Sequence, residues 1–349
     1  MTPDQPLLTF RDVVVTPYSN LLWVGPQRGV HIGGPHWPDF SEQRAARHQR
    51  EGQPVDEEPA PNPARGRLAG RWAWAGPICA HFGHQIIEFS MRLMPTLTHD
   101  RDVRFLFAVP PSGRYGTIAA TPPYFRAILD WFGITPARCH VTTTPLLVEE
   151  LVVAPQAEQL GGPVPKAEHL DAMDRHTLEQ LGTRERQGAV YVSRAGVATR
   201  FAGEDVLESA LSASGVEVIR PETLPLRAQL RTYASAQLLI FAEGSAPYAS
   251  ALLGRSLGDV VVLNRRPGAH LGLASLRPRA TSLRYCDVVR EFLAGRNWRG
   301  ERVKHAGLTV LDEDALLETF DALELPVRRH WDSARYAARC DQDVKAANG

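Results

Sequence analysis

Short apolar runs alternate with segments of helical spacing through the second half of the chain. AVYVSR, VEVIRP, QLLIFAEG and DVVVLN are rich in β-branched and aromatic residues and bounded by Gly, Pro or Ser. Between them, GEDVLESALSASG, PLRAQLRTYASA and SAPYASALLG place apolar residues three and four apart. Strands separated by helices in so short a span predict a parallel, Rossmann-like half-sheet. An earlier series has VRFLFAVP, CHVTTTP and LLVEELVVAP as strands, TPPYFRAILDWFGI as a helix opened by proline and closed near Gly133, and MDRHTLEQLG as another helix. In HFGHQIIEFSMRLMP the apolar positions Ile86, Ile87, Phe89, Met91, Leu93 and Met94 predict a helix that Pro95 ends or kinks. The fold class that follows is α/β, with two similar domains divided between Gly162 and Gln187.

The flanks read differently. Residues 1–70 contain a β-like stretch from Leu7 to Val15 and again from Asn20 to Val24, then QRAARHQREGQPVDEEPAPNPARGR, dense in charge and proline, which predicts an exposed arm or loop. Residues 71–180 form the first α/β domain, 186–327 the second, and 328–349 a tail. YCDVVREFLAGR, LTVLDEDALLETFDALE and the polar segment from Arg328 predict a helical annex that frays over VKAANG.

Lys+Arg 39 equals Asp+Glu 39 over 349 residues, so no global field draws the chain to nucleic acid. The 4 cysteines, Cys79, Cys139, Cys286 and Cys340, include no C-x-x-C pair, which argues against a zinc site or a disulfide framework and points to a reducing compartment. No basic-then-apolar leader opens the sequence, and no apolar run reaches the ~18 residues a membrane span needs. A cytoplasmic location without a transmembrane segment is expected, with peripheral membrane association open. Positive charge is almost all arginine, which suits bidentate phosphate binding.

Three constellations could carry chemistry. His81, His84, Glu88 and Arg92 fall three and four apart, on one helical face, where a His–Glu pair can hold an imidazole in one tautomer as a general base; a solvated polar stripe has the same spacing. A chelating role for His81, His84 and Glu88 lacks the H-E-x-x-H order. Arg194 closes the strand AVYVSR, at the edge where α/β sheets bind ligands, and Arg200 follows on the same loop. Glu243-Gly244-Ser245 ends QLLIFAEG, where glycine permits close backbone approach and Ser245 can cap the next helix beside an anion. G-x-G-x-x-G, G-x-x-x-x-G-K-[ST] and G-x-S-x-G are absent, against dinucleotide oxidoreductases, P-loop enzymes and α/β-hydrolases. The three D-x-D triplets, at Asp100, Asp312 and Asp341, read as solvated or capping elements.

The order HFGHQIIEFSMRLMP, then YFRAILDWFGITPARCHVTTTPLLVEELVVAP, AVYVSR and GVEVIRPETLPLRAQLRTYASAQLLIFAEGSA, resembles glycosyltransferase family 61, over roughly Trp72 to Arg266. The resemblance implies a GT-B architecture of two Rossmann-like domains facing a central cleft, with an acceptor domain first and a nucleotide-sugar domain second. It also implies inverting chemistry without an essential metal, and a link to bacterial capsule or lipopolysaccharide synthesis. No cofactor is implied: the nucleotide sugar is the donor substrate, and a glycan or lipid-linked hydroxyl the acceptor. In that frame Arg194 and Arg200 neutralise the diphosphate, Glu222 contacts ribose or base, and Glu243, Gly244 and Ser245 line the donor site. Either His84 or Glu88 is the base, with His81 and Arg92 on the acceptor side. The alternative is a catalytically inactive GT-B-like scaffold or binding protein of a polysaccharide assembly complex.

Overall fold

A computed structural model describes residues 7–22, 29–110, 114–296 and 302–348. The chain forms two compact units, Met1–Gln180 and Leu181–Gly349. In the first, strands β1 (Leu8–Asn20), β2 (His31–Pro35), β3 (Gln49–Arg50), β4 (Gln53–Pro54), β5 (Asp56–Glu57) and β6 (Gly66–Pro77) precede the short helices α1 (Phe82–His84) and α2 (Leu93–His99). Strand β7 (Arg104–Ala108), helix α3 (Pro123–Trp131), strands β8 (Cys139–Thr142) and β9 (Leu146–Val153), and helix α4 (Ala167–Leu181) follow. A seven-stranded sheet runs β5-β2-β1-β9-β6-β7-β8. Its β9-β6-β7-β8 part is parallel, whereas β1 is antiparallel to both β9 and β2. The unit is α/β with a mixed sheet.

The N-terminal segment is therefore no exposed arm. Strand β1 pairs with β9 from Leu8 opposite Val153 to Val15 opposite Leu146, and buries Val13, Val15 and Tyr18 with Trp37, Trp72 and Trp74 in one core. Even the charge-dense stretch is tied inward: buried Arg92 donates to the carbonyls of Ala46 and Arg47, and the Arg47 guanidinium lies 4.0 Å from the Phe40 ring centroid. Residues 57–67 of that stretch, apart from Pro59, are exposed as expected, so only its first half is drawn into the fold.

The second unit contains the four predicted strands, adds a fifth that the sequence pattern did not give, and replaces the expected helix over SAPYASALLG with a 3₁₀ segment. Strands β10 (Gln187–Val192), β11 (Glu217–Ile219), β12 (Ala236–Ala242), β13 (Leu257–Leu263) and β14 (Ala280–Cys286) form a wholly parallel sheet in the order β11-β10-β12-β13-β14. Helices α5 (Glu204–Ala213) and α6 (Leu226–Ser235) connect the first three strands, and α7 (Leu273–Leu276) lies between β13 and β14. Strand order reverses between β10 and β12, so the connections leaving their carboxyl ends run in opposite directions at a switch point, where doubly wound sheets bind ligands.

The expected helical annex is half sheet. YCDVVREFLAGR ends β14 and forms β15 (Val289–Arg296), paired antiparallel with β16 (Arg302–Leu311). The physical cause is the partner: Leu308, Val310 and Leu311 of β16 are core residues, and they hold Phe292 and Leu293 in ladder register. Helices α8 (Glu313–Asp321) and α9 (Ser333–Asn348) do form. The segment expected to fray is the last turns of α9, which buries Tyr336, Cys340 and Asp343.

Candidate active site

The carboxyl ends of β10, β12 and β13 bring together Arg194, the Glu243-Gly244 turn and the pair Arg265-Arg266. Arg194 donates from Nε to the Thr199 carbonyl at 2.8 Å and from Nη2 to the Thr199 hydroxyl at 2.5 Å, which curls its own loop around the guanidinium. Its Nη1 occupies the space a Cβ at Gly244 would need. A methyl group at Gly244 would have to displace the guanidinium. Glu222, exposed at the start of the β11–α6 connection, fills the corresponding space over Gly196 and so lies against the same loop. Behind that turn Gln229 donates to the carbonyls of Pro221 and Leu224.

Two buried carboxylates organise this edge. Glu204, in the first turn of α5, accepts from the Tyr191 hydroxyl at 2.8 Å, the Ser193 hydroxyl at 3.1 Å, and the backbone N–H groups of Arg194 at 2.7 Å and Phe201 at 3.2 Å. Burial raises its pKa, against those hydrogen bonds. Glu243 is fully buried; its Oε2 accepts from the N–H of Arg265 at 2.8 Å and of Arg266 at 3.0 Å, and its Oε1 takes both Nε and Nη2 of Arg266. Burial lowers the pKa of Arg194 and brings that of Arg265 to about 10. Three guanidiniums gather here with the buried carboxylates of Glu204 and Glu243 and the exposed one of Glu222, and the arginines supply donors of the kind a diphosphate takes.

Three expected donor residues are placed otherwise. Glu243 does not line a ligand surface, because all its acceptor capacity is spent on the β13 turn. Arg200 turns away to Asp343 of α9, 3.0 Å off, where the helix supplies a nearly buried counter-charge. Ser245 makes no capping hydrogen bond: the following helix is a buried 3₁₀ segment, Ala246–Leu252, and Pro247 in its first turn contributes no N–H. Arg265, Arg266 and Glu204 join the site without having been expected there, although Arg265-Arg266 follow the strand run DVVVLN as Arg194 follows AVYVS.

In the first unit, His81 caps α1 by accepting at Nδ1 from the His84 N–H, 3.3 Å away, and the two imidazole centroids are 4.7 Å apart. A π-helical segment, Gln85–Phe89, follows directly. Its wider turn keeps His84 and Glu88 together, with Nδ1 to Oε2 at 2.6 Å, but alters the phase beyond Ser90. Arg92 consequently leaves the face it was expected to share. It is fully buried and donates to the Ala46, Arg47 and Ala154 carbonyls, so it is a structural anchor and not an acceptor-side residue. Nor does Pro95 stop the helix: it lies in the first turn of α2, where no N–H is needed.

Glu88 also accepts from Arg50 Nε of β3 at 3.1 Å. Burial would raise its pKa, but His84 and Arg50 together hold it lower than usual. Glu88 is thus an ionised carboxylate with 4% of its side chain exposed, while His84 has 14%. With Nδ1–H directed to Glu88, His84 carries its lone pair on Nε2. Arg50 had no signal in a segment read as a loop. A cavity of about 350 Å³ adjoins His81 beyond β6 and β7, lined by Leu21, Leu22, Ile78, Cys79 and Tyr115 among others. Among the described residues no three His, Cys, Asp or Glu side chains converge as metal ligands. The D-x-D acids serve as caps and pairs: Asp312 caps α8 through the Ala315 N–H, and Asp343 holds Arg200 and the Gly203 N–H.

A parallel sheet with an arginine-bearing switch point, together with a buried His–Glu dyad, describes an α/β group-transfer enzyme. The model of the family Glycosyltransferase 61 matches residues 82–256, from the dyad helix to just past the Gly244 turn, and the chain belongs to that family of glycosyltransferases. No curated protein matches the chain. No helix among the described residues is long and apolar enough to cross a membrane.

Proposed function

We propose that the chain is an inverting, GT-B glycosyltransferase that moves a sugar from a nucleoside-diphosphate donor to a glycan or lipid-linked hydroxyl, in the cytoplasm, in bacterial surface polysaccharide synthesis. The observation that carries this reading is the convergence of Arg194 and Arg266 at the switch point of the second unit, beside Gly244, where a methyl group would have to displace the guanidinium. In this reading the second unit grips the diphosphate and the first supplies the base. His84 Nε2 takes the acceptor hydroxyl proton, Glu88 stabilises the resulting imidazolium, the acceptor oxygen bonds to the anomeric carbon, and the diphosphate leaves with the electron pair of the broken C–O bond. Arginines carry the leaving charge, so the chemistry asks for no cation. Glu222 contacts the ribose or base.

The test is a thermal-shift panel of UDP, GDP, CMP and dTDP with their sugar conjugates, with and without EDTA. One nucleotide should raise the midpoint with and without EDTA alike; saturation at ~100 times Kd is worth about 2.7 kcal/mol. Arg194→Ala should abolish that shift. Failure of every nucleotide to shift the wild-type protein refutes the transferase reading and favours the inactive scaffold.

A further inference from the structure

Beyond the carboxyl end of β9 the first unit holds a second cavity, of about 360 Å³. Apolar faces of Met94, Pro155, Pro163 and Val164 line it, interspersed with polar groups from the β9–α4 connection and from α4 itself. Two features mark it as more than a packing gap. Among its lining residues, Gln159 and His169 carry atoms, Oε1 and Nδ1, that are buried yet have no hydrogen-bond partner among the described residues. Such orphaned groups cost free energy unless something completes them. Moreover, His169 Nε2 is likewise buried without a hydrogen bond among the described residues, although it lies 3.3 Å from Oε1 of Glu158, with 7% and 2% of the two side chains exposed. Both ring nitrogens thus await a hydrogen-bond partner.

The cavity is also coupled to the dyad. Gln49 lines it and donates its N–H to Gln156 Oε1 at 3.2 Å, while the next residue, Arg50, binds Glu88. Successive strand residues face opposite ways, so the two-residue strand β3 has the cavity on one side and the dyad on the other. A ligand there would lie apart from the reacting hydroxyl yet share a strand with the group that holds Glu88.

We infer that this cavity is a saccharide subsite for a sugar unit of the acceptor removed from the one being modified. The inference rests on the proposal that the first unit takes the acceptor. A pyranose has the matching chemistry: a C–H face for the proline, methionine and valine walls, and hydroxyls that donate to Gln159 Oε1 and either donate to or accept from His169 Nδ1. Lys166 and Arg175 at the lining extend the match to a sugar carboxylate.

Saturation-transfer NMR with the full chain tests this, using the methyl glycosides of glucose, galactose, N-acetylglucosamine and glucuronic acid as probes. At least one should receive saturation. Ala172→Trp, which fills the cavity from α4, should abolish it, and Gln159→Ala should weaken binding about fivefold, one hydrogen bond's worth. The same samples are run in the nucleotide thermal-shift panel, where both variants should respond as wild type does, which also verifies their folding. Absence of saturation for all four glycosides, or saturation unchanged in both variants, overturns the subsite even if nucleotides bind. A silent nucleotide panel with glycoside binding intact overturns the donor reading instead.

Discussion

Replacing Glu243 with glutamine isolates what the buried carboxylate does for the diphosphate edge. Its two oxygens accept four N–H groups, two from the Arg265 and Arg266 backbone and two from the Arg266 guanidinium. A glutamine can keep its oxygen on the backbone pair, but its NH2 then faces the Arg266 donors, and both charge-assisted bonds are lost. Such bonds contribute about 1.5–3 kcal/mol each. The Arg266 side chain is 31% exposed, so water recovers part of that, and a net loss of about 2 kcal/mol is expected. For a unit of this size that lowers the unfolding midpoint by roughly 4–8 °C. Affinity should fall further than folding alone accounts for: an unanchored Arg266 weakens binding of the cognate nucleoside diphosphate about tenfold, or ~1.4 kcal/mol. Titration calorimetry on Glu243→Gln, Arg266→Ala and the double variant measures this directly. In the Arg266→Ala background the glutamine should add almost nothing to the affinity loss. Two independent, additive losses, or an unchanged Kd in Glu243→Gln, would refute the positioning role.

Two further outcomes follow from the geometry. Gly244→Ala drives a methyl group into the Arg194 guanidinium, and calorimetry should show nucleotide affinity at least about tenfold weaker, a loss of ~1.4 kcal/mol or more; wild-type affinity would mean that Arg194 does not grip the ligand. Asp56 of β5 has a buried Oδ1 without a hydrogen-bond partner among the described residues, and burial pushes its carboxyl up to about 7, so the folded state holds its proton where the unfolded chain has lost it. Between about pH 4 and 7 this residue therefore subtracts stability as pH rises, by up to ~1.4 kcal/mol per unit. Asp56→Asn should gain on the wild type over that window in chemical denaturation of the first unit, and a constant difference across it would show that Asp56 is already ionised.

The second unit was legible where its strands are buried, as β10, β12 and β13 are, and read as apolar runs; the half-exposed β14, ATSLRYC, shows no such run. The same logic singled out Arg194 and Gly244 at strand ends, whereas Glu222 came only from the family resemblance. What strand ends do not display is which side chain turns inward. Glu243 and Ser245 are neighbours of Gly244 in sequence, yet one is spent on a backbone turn and the other precedes a 3₁₀ segment in place of a capped α-helix. Arg200 was diverted by Asp343, a residue 143 positions away whose pairing no local pattern announces. In the first unit, helical spacing correctly joined His84 to Glu88, but a π-helical segment broke the phase before Arg92. EQLGGPVPKAEHLD carried no regular period and yet lines the second cavity, since cavity walls need shape and not periodicity.

The pairing of Asp343 with Arg200 and with the Gly203 N–H also orders events during synthesis. The loop that starts α5 emerges from the ribosome first, and its counter-charge is encoded 143 residues later. At about 5–20 residues per second, translation of that interval takes roughly 7–29 s. Throughout it the arginine-bearing loop has its own strand but not its anchor, so the start of α5 gains its buried counter-charge only when α9 docks.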